Sequence, residues 1–286
     1  MKLSVITVNY NDRTGLTRTI RSVVEQSFEN FEYIIVDGGS SDGSVEIIKH
    51  FEEKISYWVT EPDTGIYNAM NKAIEVARGE YCIFMNSGDS FYDSEVLQKV
   101  FSEFPTEDII CGDTYTINDT KSAPKEITLE YLFSHSICHQ SAFIKTSLMK
   151  KYKYDEKYKI VADRKFFLQT LILENCTYRP INVKIVNYDL SGYSSKNPHL
   201  SRMEYDQVLE ELFPARIRID YGRRERGVLY GDSMYEKLFY EINLRQYRYI
   251  IYQLTVIVLH CVSLVKASAK FIRNYPFRLL PSSNNK

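Results

Sequence analysis

This sequence has almost no net charge and no pair of cysteines at a recognisable spacing. Its 286 residues carry 36 lysines and arginines against 37 acidic residues, a formal net charge of −1. This balance gives no bulk electrostatic attraction to nucleic acid. The sequence has five cysteines, at Cys82, Cys111, Cys138, Cys176 and Cys261. No two of them have metal-ligand or redox spacing, and their odd number argues against a disulfide framework. We therefore expect a reducing, cytoplasmic setting and no nucleic-acid partner.

Two nucleotide-binding fingerprints are also missing. Residues 9–12, after the first predicted strand, read Asn-Tyr-Asn-Asp where a dinucleotide-binding fold carries Gly-x-Gly-x-x-Gly. The sequence has no Gly-x-x-x-x-Gly-Lys-Ser/Thr phosphate loop either. Hydride transfer and P-loop ATP hydrolysis are therefore poor fits. Only Met1 and Lys2 precede the first apolar run, which predicts a first strand rather than a signal peptide.

The chain does contain regular strand–helix alternation. Apolar runs at 3–8, 33–36, 55–60 and 81–85 predict strands, of which those at 33–36 and 81–85 are expected to be buried, and amphipathic stretches between them predict helices. This βαβαβαβ order implies a parallel sheet with right-handed crossovers and helices on both faces. We therefore predict an α/β fold with a doubly wound, mostly parallel sheet and a helical C-terminal extension.

Residues 61–89 are the centre of this pattern. Four apolar residues at helical spacing predict a stripe that faces the core: Ile66, Met70, Ile74 and Ala77. Gly79 follows the last turn, where a left-handed cap is expected. The strand at 81–85 then gives way to Asn-Ser-Gly-Asp at 86–89. Polar groups at the end of a buried parallel strand are typical of a ligand site in an open α/β sheet.

Polar residues end several of the predicted strands. Thr7, Asn9, Asp37 and Asp89 all lie at carboxyl ends, so a parallel sheet brings them to one edge. Asp37 can accept a hydrogen bond from a base or ribose. Asp89 can hold Mg²⁺ or Mn²⁺ on a diphosphate, because these cations prefer oxygen ligands. Each aspartate alone could instead cap a helix or close a turn, but their convergence favours a nucleotide site.

Three segments carry a family resemblance. They are residues 3–11 (LSVITVNYN), 36–44 (VDGGSSDGS) and 63–72 (DTGIYNAMNK). Their order and spacing resemble the successive motifs of family 2 glycosyltransferases. The resemblance implies a GT-A fold, a nucleotide-diphosphate sugar donor and transfer with inversion at the anomeric carbon.

The resemblance also assigns roles to individual residues. It implies that Thr7, Asn9 and Asp37 bind the nucleoside, with Asp37 facing the base. It also implies that the loop around Asp63 closes over the same pocket.

One departure from the family pattern concerns the metal. The family usually has Asp-x-Asp-Asp where this chain has Asn-Ser-Gly-Asp, so Gly88 replaces the aspartate expected to contact the cation. We expect Mg²⁺ or Mn²⁺ to be held mainly through Asp89. Three alternatives stay open: Asp89 shifts to take the ion, Asn86 contributes a carbonyl oxygen, or metal dependence is weak.

Inverting transfer needs a base that takes the proton of the acceptor hydroxyl. Asp163, at the start of a predicted helix, matches the family's base position; its alternative role is a charge that interacts with the helix dipole. His139, in a Cys-His-Gln-Ser segment, is a candidate contact for diphosphate or acceptor, or else a packed, hydrogen-bonded histidine. Another helix is predicted after Asp93, with apolar residues as far as Phe104 facing inward.

The C-terminal third lacks strand–helix alternation. Residues 249–265 are apolar but interrupted by polar side chains, and lysines and arginines interleaved with aromatic residues follow. The segment 247–280 is therefore predicted to lie at a membrane surface, the alternative being a helix packed on the catalytic domain or a dimer partner. The predicted domains are a catalytic domain at 1–198, with a nucleotide-binding half at about 1–92 and an acceptor-side half at about 93–198, and a helical extension at 199–286.

These patterns predict an inverting glycosyltransferase, peripheral at the cytoplasmic face of the membrane. It would move a sugar from a nucleotide-diphosphate donor, a UDP-sugar, to a glycan or lipid-linked acceptor in surface polysaccharide biosynthesis, such as capsule or lipopolysaccharide. A nucleotidyltransferase-like enzyme is one rival, but it should carry a glycine-rich basic loop after the first strand. A non-catalytic nucleotide-sugar binder is the other, and Gly88 makes it credible.

Overall fold

The computed structural model describes residues 1–117, 119–190 and 192–225 of the chain. The strands are β1 Leu3–Asn9, β2 Phe31–Asp37, β3 Tyr57–Thr60, β4 Tyr81–Phe84, β5 Ser90–Phe91, β6 Ile109–Thr116, β7 Asp119–Lys121, β8 Ala142–Lys145 and β9 Tyr178–Asn187. The α-helices are α1 Arg13–Val24, α2 Ser44–His50, α3 Ile66–Val76, α4 Val96–Phe101, α5 Leu129–Ser134, α6 Thr146–Tyr152, α7 Ala162–Phe167, α8 Tyr193–Lys196, α9 Pro198–Leu212 and α10 Ala215–Glu225. Short 3₁₀ turns occur at Glu52–Lys54 and His139–Ser141, and a π-helical turn at Leu168–Leu173.

These strands form one sheet in the order β3-β2-β1-β4-β8-β6-β9-β5, with β7 beside β6. β1 pairs in parallel with β2 and β4, and β2 pairs in parallel with β3. The parallel sheet predicted for the nucleotide-binding half is therefore confirmed. β8 runs antiparallel between β4 and β6, and β9 joins β6 in parallel. The strands after β5 thus continue the same sheet with mixed directions.

The central strands are buried on both faces. Every residue of β1 and β4 is buried, as expected for a parallel sheet covered by helices. On one face, Leu16 and Ile20 of α1 are fully buried in the same cluster as Leu3. On α3, Met70 and Ile74 are fully buried as well. Burying each such side chain contributes about 1.5–3 kcal/mol, so the strand ends that carry the polar residues rest on a rigid core.

Three local expectations are wrong, each for a different reason. Ile66 is 44% exposed because it is the first residue of α3, before the turns that reach the core. Phe104 is 81% exposed because α4 ends at Phe101 and the left-handed backbone of Phe104 (φ 47°) turns the chain outward. Gly79 is not left-handed. A Cβ there would lie 2.4 Å from the backbone at the start of β1, so glycine permits close chain approach instead of capping the helix.

Candidate active site

Asn9 and Asp37 are register partners at the ends of β1 and β2. The Asn9 amide and the Ser40 hydroxyl donate to Asp37 Oδ1 over 2.7 and 2.6 Å. The Ser40 N–H and the Thr60 hydroxyl donate to Oδ2 over 2.9 and 2.6 Å. Burial raises the pKa of Asp37, but the hydrogen bonds outweigh burial and hold this pKa below its usual range. Asp37 is therefore an ionised carboxylate that joins the ends of three strands to the loop after β2.

Thr7 lies deeper in the sheet than the other predicted nucleoside contacts. It is fully buried, and its hydroxyl donates to the Met85 carbonyl over 2.7 Å and lies 2.9 Å from the Tyr33 hydroxyl. Both contacts connect β1 with its neighbouring strands. Thr7 is therefore a buried contact that links β1 to β2 and to the end of β4 beneath the polar strand ends.

Asp63 lies beside the loop that follows Asp37. Its carboxylate accepts the Gly65 N–H over 3.0 Å. A Cβ on Gly38 would lie 2.4 Å from Asp63 Oδ2 and 3.2 Å from the ring of Tyr10. Asp63 and Tyr10 therefore both lie close against Gly38. Tyr10 is 66% exposed, and sequence reasoning did not single it out, although an aromatic residue among polar strand-end residues was a usable signal.

The turn formed by residues 86–89 is held by α1. The Asp89 N–H donates to the Asn86 carbonyl over 2.9 Å, and the Thr19 hydroxyl donates to the Asp89 carbonyl over 2.6 Å. Gly88 has a φ of 99°, a backbone conformation that glycine adopts at less cost than aspartate. The shape of this turn therefore suits the glycine that replaces the usual aspartate.

The Asp89 carboxylate is 4% exposed. Oδ1 accepts the Asp189 N–H over 2.8 Å, and Oδ2 accepts the Gln140 amide over 3.3 Å. Burial raises the pKa of Asp89 to about 7, so a nearby cation would stabilise its ionised form. Within residues 1–117, 119–190 and 192–225, no group of three or more His, Cys, Asp or Glu side chains could hold a metal ion.

Asp189 and Arg18 flank Gly88. A Cβ on Gly88 would lie 3.0 Å from Asp189 Oδ2. Arg18 forms an ion pair with the same oxygen at 2.9 Å, and its Nε donates to the Gly88 carbonyl over 3.0 Å. The two side chains join α1, the turn and the loop after β9. Sequence reasoning missed this pair, because 171 positions separate its members and no local pattern connects them.

Asp163 lies in the first turn of α7 with 14% of its side chain exposed. Its Oδ2 lies 3.1 Å from His139 Nδ1, and its Oδ1 lies 3.0 Å from the Tyr67 hydroxyl. Burial raises the pKa of Asp163, but the hydrogen bonds from His139 and Tyr67 outweigh burial and hold this pKa below its usual range. The carboxylate is therefore ionised and partly accessible, as a general base requires.

His139 connects Asp163 to the end of β4. The histidine lies in the turn His139–Ser141 just before β8, and the pairing of β8 with β4 brings it beside that strand. Its Nε2 lies 3.3 Å from Asn86 Nδ2, and its ring packs edge-on against Phe84 at 6.2 Å between centroids. Both ring nitrogens thus lie within hydrogen-bond distance of protein groups.

Helix α9 supports the segment that leads into α7. The Glu204 carboxylate accepts the backbone N–H groups of Lys159 and Ile160 over 2.8 and 2.9 Å. Lys165 of α7 forms an ion pair with Asp155 at 2.6 Å and a second with Glu211 of α9. These contacts fix the start of α7 and therefore the position of Asp163.

The sheet and its polar edge define a glycosyltransferase of the GT-A fold. Residues 4–166, more than half of the chain, match the family model described as Glycosyl transferase family 2. The chain therefore belongs to glycosyl transferase family 2. The family resemblance and the GT-A fold expected from the sequence are both confirmed.

Curated relatives agree with this assignment. The chain is 31% identical over 254 residues to an uncharacterized glycosyltransferase of Mycobacterium tuberculosis, covering 83% of this chain and 96% of that protein. It is 26% identical over 197 residues to a PGL/p-HBAD biosynthesis glycosyltransferase of Mycobacterium bovis, covering 66% and 77%. A putative teichuronic acid biosynthesis glycosyltransferase of Bacillus subtilis, TuaG, is 40% identical over 92 residues, covering 31% and 36%.

Solved structures show the same fold. The structure of S. aureus TarS 1–349 in complex with UDP-GlcNAc superposes with a TM-score of 0.60 at 18% identity, covering 84% of this chain and 78% of that one. In the described part of the chain, no helix has the length and apolar character needed to span a bilayer. The segment 247–280, predicted to lie at a membrane surface, falls outside the described residues.

Proposed function

We propose that this enzyme transfers a sugar, with inversion, from a UDP-sugar to a glycan or lipid-linked acceptor in surface polysaccharide biosynthesis. The observation that carries the proposal is the partly exposed, ionised Asp163, held by His139 beside the turn that contains Asp89. This arrangement supports a base and a leaving-group site at one sheet edge. The names of relatives in PGL/p-HBAD and teichuronic acid biosynthesis support an acceptor of the cell surface.

Asp163 is the proposed general base. Its carboxylate takes the proton of the acceptor hydroxyl as that oxygen attacks the anomeric carbon. The new bond forms on the face opposite the diphosphate, and the bond between the anomeric carbon and the diphosphate oxygen breaks. The diphosphate leaves with the bonding electrons, so the anomeric configuration inverts. The lowered pKa of Asp163 keeps the base ionised at neutral pH.

Asp89 is the proposed protein ligand of Mg²⁺ or Mn²⁺. Its buried carboxylate fits a cation that shares its ligands with the donor, because Mg²⁺ is usually held through one or two carboxylates and the phosphates of a substrate. Held by Asp89, a cation would supply positive charge to offset the negative charge of the departing diphosphate. A mannosyltransferase from Pyrobaculum calidifontis, solved in complex with GDP-Man and Mn²⁺, has a related fold with a TM-score of 0.53 at 15% identity.

The nucleoside is proposed to bind between the ends of β1 and β2. Thr7, Asn9 and Asp37 form the hydrogen-bonded base of this edge, and Asp63 and Tyr10 lie beside it against Gly38. TarS structures in complex with UDP and with UDP-GlcNAc favour uracil as the base. Because both Asp37 oxygens already accept hydrogen bonds from protein groups, Asp37 is proposed to act mainly by fixing the conformation of the loop that contacts the nucleobase.

A donor and product assay tests this proposal. Purified enzyme with Mn²⁺ is incubated with a panel of UDP- and GDP-sugars, with water as the acceptor. Donor hydrolysis and the anomeric configuration of the sugar first released, before mutarotation, are followed by NMR. Turnover of a UDP-sugar with inversion, reduced roughly a hundredfold or more in Asp163→Asn, is the expected result. Retention of configuration, or an Asp163→Asn variant as fast as the wild type, would overturn the mechanism. Donor binding without turnover would favour the non-catalytic binder.

A further inference from the structure

We infer that His139 and Tyr67 are positioning residues for Asp163, each holding one carboxylate oxygen, and that the ionised Asp163 keeps a proton on His139 Nδ1. The inference rests on the proposed role of Asp163 as the base. Neither His139 nor Tyr67 needs to touch the donor or the acceptor in this arrangement. They act on the orientation of the Asp163 carboxylate and on its affinity for a proton.

The chain of contacts through His139 determines its protonation. Asn86 Nδ2 donates to Nε2 over 3.3 Å, so Nε2 accepts and the ring proton lies on Nδ1, 3.1 Å from Asp163 Oδ2. This arrangement leaves the buried Asn86 Oδ1 without a partner among the described residues. Turning the amide would place Oδ1 against Nε2 and protonate both ring nitrogens. In either orientation Nδ1 carries a proton and donates it to Asp163.

Tyr67 gives Asp163 a partner in both of its protonation states. The hydroxyl of Tyr67 lies 3.0 Å from Asp163 Oδ1 and 2.6 Å from the Ile160 carbonyl. A hydroxyl has one proton and can direct it to only one of these oxygens. While Asp163 is ionised, the proton can point to Oδ1. Once Asp163 has taken the proton of the acceptor, the hydroxyl donates to Ile160 and accepts from Asp163.

The contacts of Asp163 with His139 and Tyr67 are largely shielded from water, which increases their effect on the carboxylate. Tyr67 is 5% exposed, and the side chains of His139 and Asp163 are 12% and 14% exposed. Hydrogen bonds to a charged, poorly solvated carboxylate are stronger than those between neutral groups. Losing the His139 donor would therefore raise the pKa of Asp163 and leave less of the base ionised.

The other titratable groups near the pair are identifiable. Tyr154 and Tyr188 face Asp163, and burial raises the pKa of both, to about 12 for Tyr188, so they stay neutral in an ordinary assay. Asp89 faces His139, and burial raises its pKa to about 7. Any test based on pH must therefore separate Asp89 from the pair.

The test compares His139→Ala, His139→Asn and Tyr67→Phe, with His135→Asn as the control. His135 is an exposed histidine of the same segment whose ring stacks on Tyr131. For His139→Ala we expect kcat to fall roughly tenfold or more and the acidic limb of its pH profile to move up by about one unit. His139→Asn, which keeps an N–H near the position of Nδ1, should recover part of both effects. Tyr67→Phe should lower kcat with little change in the donor KM.

A second measurement does not depend on turnover. The ring-nitrogen shifts of the five histidines are recorded by NMR, and His139 is assigned from the signal lost in His139→Asn. We expect a protonated Nδ1 in the wild type and in Asp89→Asn, and a changed signal in Asp163→Asn. His139 protonated on Nε2 alone would overturn the inference, as would an unchanged kcat and pH profile in folded His139→Ala. A rise in donor KM alone would also overturn it, since the ring would then be a donor contact.

These outcomes separate the inference from the proposed function. If Asp163→Asn loses transfer while His139→Ala and Tyr67→Phe match the wild type, only the positioning roles fail. If Asp163→Asn transfers sugar normally, the base assignment itself fails. Thermal melting of each variant identifies one that is inactive only because it does not fold.

Discussion

Gly38 lies directly against the carboxylate of Asp63, so that a Cβ on Gly38 would come within 2.4 Å of Asp63 Oδ2. The backbone at Gly38 is not left-handed, and alanine could occupy it without backbone strain. We therefore expect Gly38→Ala to displace Asp63 and weaken UDP binding roughly tenfold, about 1.4 kcal/mol, with little loss of stability. Calorimetry on Gly38→Ala, Asp63→Ala and the double variant checks this. If Asp63 carries the effect, the double variant binds UDP no more weakly than Asp63→Ala.

Asp37 gives a second prediction for the same pocket. Asp37→Asn keeps the shape of the side chain but removes the charge that receives donors from Asn9, Ser40 and Thr60. Losing charge-assisted hydrogen bonds should weaken UDP binding by about 1.5–3 kcal/mol. Glu46→Gln, at an exposed glutamate of α2 just after the same loop, is the control and should bind normally. An unchanged calorimetric affinity in folded Asp37→Asn would remove Asp37 from the site.

Metal dependence is the third prediction. Transfer should require Mg²⁺ or Mn²⁺, and excess chelator should abolish it reversibly, because Asp89 with the donor diphosphate is the proposed binding site. Electron paramagnetic resonance should show Mn²⁺ bound in the presence of UDP by the wild type and not by Asp89→Asn. Full turnover in excess chelator would contradict this and direct attention to Arg18 as a source of positive charge.

The raised pKa of Asp89 predicts a dependence of stability on pH in the metal-free protein. Because this pKa rises from 3.8 unfolded to about 7 folded, the folded state holds the extra proton between about pH 4 and 7. The stability contributed by that proton is complete below pH 4 and is lost as the pH rises through 7. Asparagine has no carboxyl group to ionise, so Asp89→Asn should not lose this stability as the pH rises. The substitution should therefore stabilise the metal-free protein more at pH 8 than at pH 5. At about 1.4 kcal/mol per pKa unit the difference is of the order of 2–4 kcal/mol, measurable by urea unfolding; equal effects at both pH values would argue against a buried proton.

The last prediction concerns residues 247–280, which lie outside the described part of the chain. Removing residues 247–286 should release the enzyme from membranes and reduce transfer to lipid-linked acceptor, while UDP binding persists. Basic residues near an anionic leaflet contribute about 1 kcal/mol each, and salt screens only this part of the attachment. A high-salt wash should therefore release the full chain only partly. A full chain that sediments as a soluble species without detergent would contradict the membrane role.

The sequence predicts the fold of residues 1–92 well because local periodicity determines their strands and helices. Strands β1, β2 and β4 are continuous apolar runs, and their polar ends at Asn9, Asp37 and Asp89 follow from the parallel order. The insertion of β8 between β4 and β6 depends on pairing between distant segments, so no local pattern indicates it. That pairing brings His139 next to Asn86. The contact of Tyr67 with Asp163 likewise spans 96 positions, and helical spacing alone gives no reason to single out Tyr67.

The hydrogen bonds from the N–H groups of Lys159 and Ile160 to Glu204 limit how far the protein can be truncated from its C-terminus. A fragment that ends at residue 198 would leave these two buried or half-buried donors without their carboxylate and Lys165 without Glu211. Its nucleotide-binding half could still fold, yet the turn that presents Asp163 would be loose. The smallest active fragment should therefore reach at least Leu212, and exchanges of the C-terminal tail between related enzymes should succeed only when the join lies beyond that residue.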